Sequence, residues 1–166
     1  MRRMRYAVAG ALLGLGAPAG LLFVRLRRRR LSLCSLDGLK RVNDQYGHAA
    51  GDAALRSVAT AIHSELREID FGARLGGDEF GVVAPSTNEE SAVVLAERLR
   101  TRVASGGKDL EGRGATVSIG IASLVPSRDE RPASASLMAA ADESLYLAKR
   151  EGGDRVGGGV RRHSRR

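Results

Sequence analysis

Two short runs, residues 71–75 and 80–84, stand on either side of Gly76-Gly77-Asp78-Glu79. With Phe71, Leu75, Phe80, Val82 and Val83 they read as strands, and the adjacent glycines supply the tight reversal of a β-hairpin. A hairpin commits the chain to a sheet, and the apolar face of that sheet must be covered. The glycines have a second consequence: without a Cβ they let a bulky ligand approach the backbone. Asp78 and Glu79 then sit at a turn where carboxylates can face a metal-bound phosphate. Taken alone, a Gly-Gly-Asp tripeptide is more often an ordinary solvated turn. Its surroundings decide between the two.

Cover for the sheet is written along the chain. Residues 31–36 read as a first strand and 40–46 as a short helix ended by Gly47. A longer helix begins at about Ala49, with Leu55, Val58, Ala59, Ile62 and Leu66 at helical spacing and Arg56, Ser64 and Glu65 left to water. Residues 88–103 repeat the pattern through Ala92, Leu95, Ala96, Leu99 and Val103. Residues 116–124 are a strand of β-branched character. Residues 134–150 form the last helix, with Leu137, Met138, Ala141, Leu145 and Ala148 inward. The order strand, helices, hairpin, helix, strand, helix predicts an α/β (α+β) sandwich, a mainly antiparallel central sheet with helices on its faces.

The ends differ from this middle. Residues 6–24 are an uncharged run rich in Ala, Leu and Gly, which at ~1.5 Å per residue approaches the ~30 Å hydrocarbon core of a bilayer. They read as one transmembrane helix, within a membrane anchor of residues 1–30. Arg25 and Arg27 to Arg30 outweigh Arg2, Arg3 and Arg5, so the C-terminal side is expected in the cytoplasm, at the inner membrane, with the arginines near lipid headgroups. Gly10 with Gly14 and Gly16 with Gly20 are spacings that let membrane helices approach closely. The domain proper takes residues 31–156, and residues 157–166 read as a disordered basic tail.

The formal charge of +8 suggests nucleic acid, but its distribution excludes that partner. Acidic residues outnumber basic ones within the domain, and the excess arginine lies in the flanks, where it makes no binding face. Cys34 is the only cysteine, so no intrachain disulfide forms, and its apolar strand makes it a buried thiol. His48, His63 and His163 have no metal-ligand spacing.

Four segments in order carry more than fold. They are Leu36-Asp37-Gly38-Leu39-Lys40-Arg41-Val42-Asn43-Asp44 running on to Gly51-Asp52, then Arg74-Leu75-Gly76-Gly77-Asp78-Glu79-Phe80, then Thr116-Val117-Ser118-Ile119-Gly120, then Ala141-Asp142-Glu143-Ser144-Leu145-Tyr146-Leu147-Ala148-Lys149. Together they resemble the GGDEF family of diguanylate cyclases, over residues 31–156, with a layout similar to the palm of polymerases and nucleotide cyclases. The resemblance implies condensation of two GTP into cyclic di-GMP and pyrophosphate across a homodimer, with Mg²⁺ or Mn²⁺.

Residue by residue, the resemblance makes Asp78 a metal ligand and catalytic group, and Glu79 a group assisting deprotonation or metal binding. Gly76 and Gly77 let the phosphates approach, Asn43 and Asp52 read the guanine edge, and Lys40 and Lys149 bring positive charge to the phosphates. Arg67-Glu68-Ile69-Asp70 matches the family's inhibitory site for cyclic di-GMP, to which Arg74 adds a phosphate contact.

Three departures accompany the match. Ser35-Leu36-Asp37 stands where the family has Asp-x-Asp, and a hydroxyl is a poor Mg²⁺ ligand beside a carboxylate. If the strand continues, Asp37 shares the face of residue 35 and compensates as a metal ligand. Gly152-Gly153-Asp154 replaces Gly-Arg-Asn, placing an acid where phosphate would be repelled. The family's helix and Asp-x-Leu-Thr-Gly-Leu turn ahead of the first strand are absent. The sequence therefore reads as a membrane-anchored diguanylate cyclase whose turnover is limited at Ser35. The alternative is a catalytically inactive receptor for GTP or cyclic di-GMP.

Overall fold

Strand β1, Arg29–Leu36, lies at the centre of the sheet, paired antiparallel with β3 (Glu79–Pro85) on one side and β4 (Val117–Leu124) on the other. The hairpin partner of β3 is β2 (Phe71–Gly76), and a two-residue β5 (Val156–Gly157) joins β4 in parallel, giving the order β2-β3-β1-β4-β5. The helices are α1 (Leu39–Tyr46), α2 (His48–Glu65), α3 (Glu89–Ser105) and α4 (Ser134–Arg150). The computed structural model describes residues 29–106, 115–124 and 134–158. The expected membrane helix at 6–24 and its small-residue spacings lie outside them. Among the described residues no helix is long and apolar enough to cross a membrane.

Strand alternation sorts the core into two layers. Cys34 and Leu36, Phe80, Val82 and Ala84, and Val117, Ile119 and Ile121 pack against α2 and α3. Leu31, Leu33 and Ala122 point the other way, onto Leu137, Ala141 and Leu145 of α4. Because both faces of β1 are covered, its polar Ser32 and Ser35 are buried along with its leucines. Ser35 has the parity of Leu31 and Leu33, so it falls on the α4 side, in register with Glu79 on one neighbour and Ser118 on the other.

The mixed sheet with helices on both faces matches the expected sandwich. Several details differ. Met138 is exposed, because one helical step of ~100° past the inward Leu137 carries it off the buried stripe. Glu65 is mostly covered and pairs with Arg98 and Arg102 of α3, so it ties two helices together. On α2, Ala61 joins the buried stripe, while Ala59 and Leu66 pack against it partly buried. Gly157, assigned to the tail on composition, is part of β5, where backbone pairing with Gly120 does not need a side chain. Helix α3 starts as the sequence indicates: the Asn88 side chain accepts from Ser91 N–H at 2.7 Å, and Glu89 and Glu90 favour the positive end of the helix dipole.

Candidate active site

The hairpin turn is held from inside. Gly77 takes φ 50°, in the left-handed region that glycine enters at little cost. The Arg74 guanidinium donates to the Gly77 carbonyl from Nε at 3.0 Å and from Nη2 at 2.7 Å. Outside the turn there is room, since a Cβ on Gly76 or Gly77 would meet nothing within 4 Å. The expected approach of a ligand to this backbone is sterically open.

Asp78 leads away from the turn, its carbonyl accepting from Leu36 N–H at 3.0 Å, which docks the hairpin on the end of β1. Its carboxylate meets two groups. Ser35, fully buried, donates its hydroxyl to Asp78 Oδ2 at 2.8 Å. Lys149, in the last turn of α4, brings Nζ to 3.9 Å of the same oxygen. Glu79, exposed at the start of β3, faces α4 across an open cleft of about 370 Å³ lined also by Asp142, Glu143, Tyr146 and Lys149. Asp78, Glu79, Lys149 and the two glycines are thus brought together.

Asp37 is placed elsewhere. Strand β1 stops at Leu36 and the chain turns through Gly38 at φ 68°, so the alternation that would have put Asp37 beside residue 35 ends one residue too early. Its Oδ1 accepts from Ser118 Oγ at 2.7 Å, and its Oδ2 from Thr116 Oγ1 at 3.0 Å and Asp154 N–H at 3.0 Å. Both oxygens are committed to β4 and to the turn after α4. The Asp154 carboxylate is not aimed at a phosphate site either: Arg100 Nη1 donates to it at 2.8 Å. Arg100 is shared with Glu97, and the hydrogen bonds it donates to Glu97 and Asp154 raise its pKa further. The sequence names Thr116, Ser118 and Asp154 within its motifs but not as partners of Asp37, because they lie on segments far along the chain.

Asn43 on α1 lies against Gly51 of α2, the residue before Asp52. A Cβ on Gly51 would fall 1.9 Å from Asn43 Oδ1, so only glycine allows α2 to start against this amide. Asp52 is exposed on the next position, and Lys40 is exposed on α1. Among the described residues no ion pair links Lys40 to Asp78 or Glu79.

Arg67 and Asp70 form a separate corner. Arg67 donates to Asp70 from Nε at 3.0 Å, from Nη2 at 3.1 Å and from its backbone N–H at 3.0 Å. The hydrogen bond to Asp70 raises the Arg67 pKa, and it remains a cation with its side chain 55% exposed. Arg74, expected to join this pair, is not brought to it: four residues of extended chain, about 13 Å at ~3.3 Å each, separate it from Asp70. Cys34 is buried as expected, and burial, with the Asp37 charge, pushes its thiol up to about 12.

The fit of this site to a divalent ion follows from its donors. With Asp37 committed and Ser35 contributing a hydroxyl, Asp78 and Glu79 are the carboxylates left on the hairpin, and among the described residues no cluster of three or more His, Cys, Asp or Glu forms a metal cage. One or two carboxylates completed by substrate phosphates are a normal Mg²⁺ arrangement. The donor set fits an ion that arrives with a nucleotide.

An α/β domain with carboxylates on an open glycine turn and a lysine above them defines a nucleotide-handling class of protein. The particular family follows from comparison. A family model described as "Diguanylate cyclase, GGDEF domain" matches residues 25–155. Diguanylate cyclase DgcP of Pseudomonas aeruginosa is 37% identical over 126 residues, covering 76% of this chain and 18% of that protein. Probable diguanylate cyclase DgcE of Escherichia coli is 42% identical over 130 residues, covering 78% of this chain and 12% of that protein. The chain therefore spans less than a fifth of the length of these two curated relatives. Among solved structures, the GGDEF domain of DgcB from Caulobacter crescentus in complex with c-di-GMP superposes with a TM-score of 0.77 at 28% identity, over 95% of this chain and 97% of that one. The active GGEEF domain of a diguanylate cyclase from Vibrio cholerae gives 0.74 at 31%, over 88% and 90%. The chain belongs to the GGDEF family.

Proposed function

We propose that the chain is a diguanylate cyclase, anchored in the inner membrane through residues 6–24, that condenses two GTP into cyclic di-GMP across a homodimer. In each half-reaction the 3′-oxygen of one GTP bonds to the α-phosphorus of the other, the bond to pyrophosphate breaks, and the 3′-hydroxyl proton leaves to a base. Glu79, at the mouth of the cleft, is the group to take that proton, and Asn43 and Asp52 hold the guanine edge. Lys149 neutralises phosphate charge, and the open turn at Gly76 and Gly77 receives the triphosphate. A Mg²⁺ or Mn²⁺ bound through Asp78 and Glu79 would offset the charge that develops on the phosphates. The observation that carries this reading is the convergence of Ser35 and Lys149 on one carboxylate oxygen of Asp78 beside an open glycine turn.

The same contact supports a second reading, in which the domain holds GTP or cyclic di-GMP without turnover and signals through a partner. The Ser35 hydroxyl occupies an oxygen of Asp78, and Asp37 supplies no substitute. Binding of labelled GTP measured beside formation of cyclic di-GMP separates the two. Binding with product supports the cyclase, and binding without product supports the receptor.

A further inference from the structure

Thr87 lies in the turn between β3 and α3, outside the reacting groups, yet it is buried and both its hydroxyl and its carbonyl are engaged. Its hydroxyl accepts from Arg67 Nη2 at 2.6 Å and donates to the Pro85 carbonyl at 3.2 Å. Its carbonyl accepts from Arg30 Nε at 3.2 Å, and Arg30 is itself buried near the start of β1. One residue therefore joins the Arg67–Asp70 corner to Arg30 at the start of β1. The preceding residue, Ser86, holds φ 54°, a conformation unfavourable for a serine that the surrounding bonds must maintain.

The direction of these bonds matters. Asp70 fixes the Nε and Nη2 edge of the guanidinium, and Thr87 fixes Nη2 from a second direction. The Arg67 side chain is half-exposed, and these bonds leave its Nη1 edge uncommitted in a set orientation. An anion with two phosphates is received well by such an edge only if the plane is already held, since an unheld guanidinium loses rotational freedom on binding. A hydroxyl that accepts from a cation also becomes a better donor, so the bond to Pro85 is strengthened while Arg67 stays in place.

We infer that Thr87 is the positioning residue of the Arg67–Asp70 site, and that through it the state of that site is felt at Arg30, where the N-terminal segment joins β1. The ligand class is a cyclic dinucleotide or another compact diphosphate, which rests on the reading of Arg67 and Asp70 given above. The link from Arg67 to Arg30 rests on geometry alone.

Two measurements on the full chain test it. Calorimetry with cyclic di-GMP should show affinity reduced about tenfold in Thr87→Val, which keeps the shape, and restored in Thr87→Ser, which keeps the hydroxyl. In ¹⁵N-arginine spectra the Arg30 Nε–H resonance, assigned by its loss in Arg30→Lys, should shift when Arg67 is changed to Lys. That shift should vanish when Thr87→Val is added. Equal affinity in wild type and Thr87→Val would overturn the positioning role, and an Arg30 resonance indifferent to Arg67→Lys would overturn the link. If the wild type binds no cyclic di-GMP, the ligand reading fails, while the Arg30 resonance still decides the link.

Discussion

Ser35 donates its hydroxyl to Asp78 Oδ2 across 2.8 Å, from a position with no solvent exposure. One carboxylate therefore stands where the family pattern brings two, and its counter-charge is the Lys149 ammonium at 3.9 Å. Ser35→Asp restores a second carboxylate at the turn, and turnover should rise about tenfold or more, equivalent to ~1.4 kcal/mol of barrier. Steady-state formation of cyclic di-GMP checks this. Asp78→Ala and Glu79→Ala should lower the rate at least ~100-fold.

Asp37 should behave as a structural residue. Asp37→Ala removes acceptors for Ser118, Thr116 and the Asp154 N–H, and the expected cost is about 2–3 kcal/mol, since bonds to a charged group exceed those between neutral groups. Urea denaturation measures it. Were Asp37 a metal ligand instead, the loss would depend on Mg²⁺ concentration.

Which of these features the sequence disclosed follows their range along the chain. The hairpin at Gly76 and Gly77 and the stripe of Leu95, Ala96, Leu99 and Val103 are local, and the local pattern of the sequence reveals them. The role of Asp37 depended on whether β1 ran one residue further, and alternation says nothing of where a strand stops. Its partners Thr116, Ser118 and Asp154 lie 79 to 117 residues away, beyond any local pattern. The second strand edge at Val156 and Gly157 is too short to show a period. Thr87 gave no signal at all, because its importance arises from the meeting of three segments.

Cys34 should resist thiol reagents in the folded protein at pH 8, since a pKa raised to about 12 keeps it protonated and buried. The same shift has a stability consequence of definite sign. The folded pKa lies above the ordinary thiol value near 9, so the contribution is fully present below about pH 9 and is lost as pH rises toward 12. In Cys34→Ala the alkaline fall in stability should be shallower, as read from denaturation at pH 8 and pH 10.5.

At the Arg67–Asp70 corner, Arg67→Ala should weaken cyclic di-GMP binding roughly tenfold to a hundredfold, the effect of one lost charge-assisted bond. It should also lower stability, because the Asp70 side chain is only 1% exposed and would keep its charge without its cation. Arg74→Ala should leave that affinity unchanged and loosen the hairpin turn instead, since its guanidinium is spent on Gly77. Calorimetry of both variants tests the division.

The most direct test of the proposed activity is to incubate the purified full chain with GTP and Mg²⁺, and separately with Mn²⁺, and to follow cyclic di-GMP and pyrophosphate by chromatography and mass spectrometry. The expected result is a slow accumulation of both, abolished in Asp78→Ala and accelerated in Ser35→Asp. Bound but unreacted GTP with either ion, in the wild type and in Ser35→Asp alike, would contradict the cyclase.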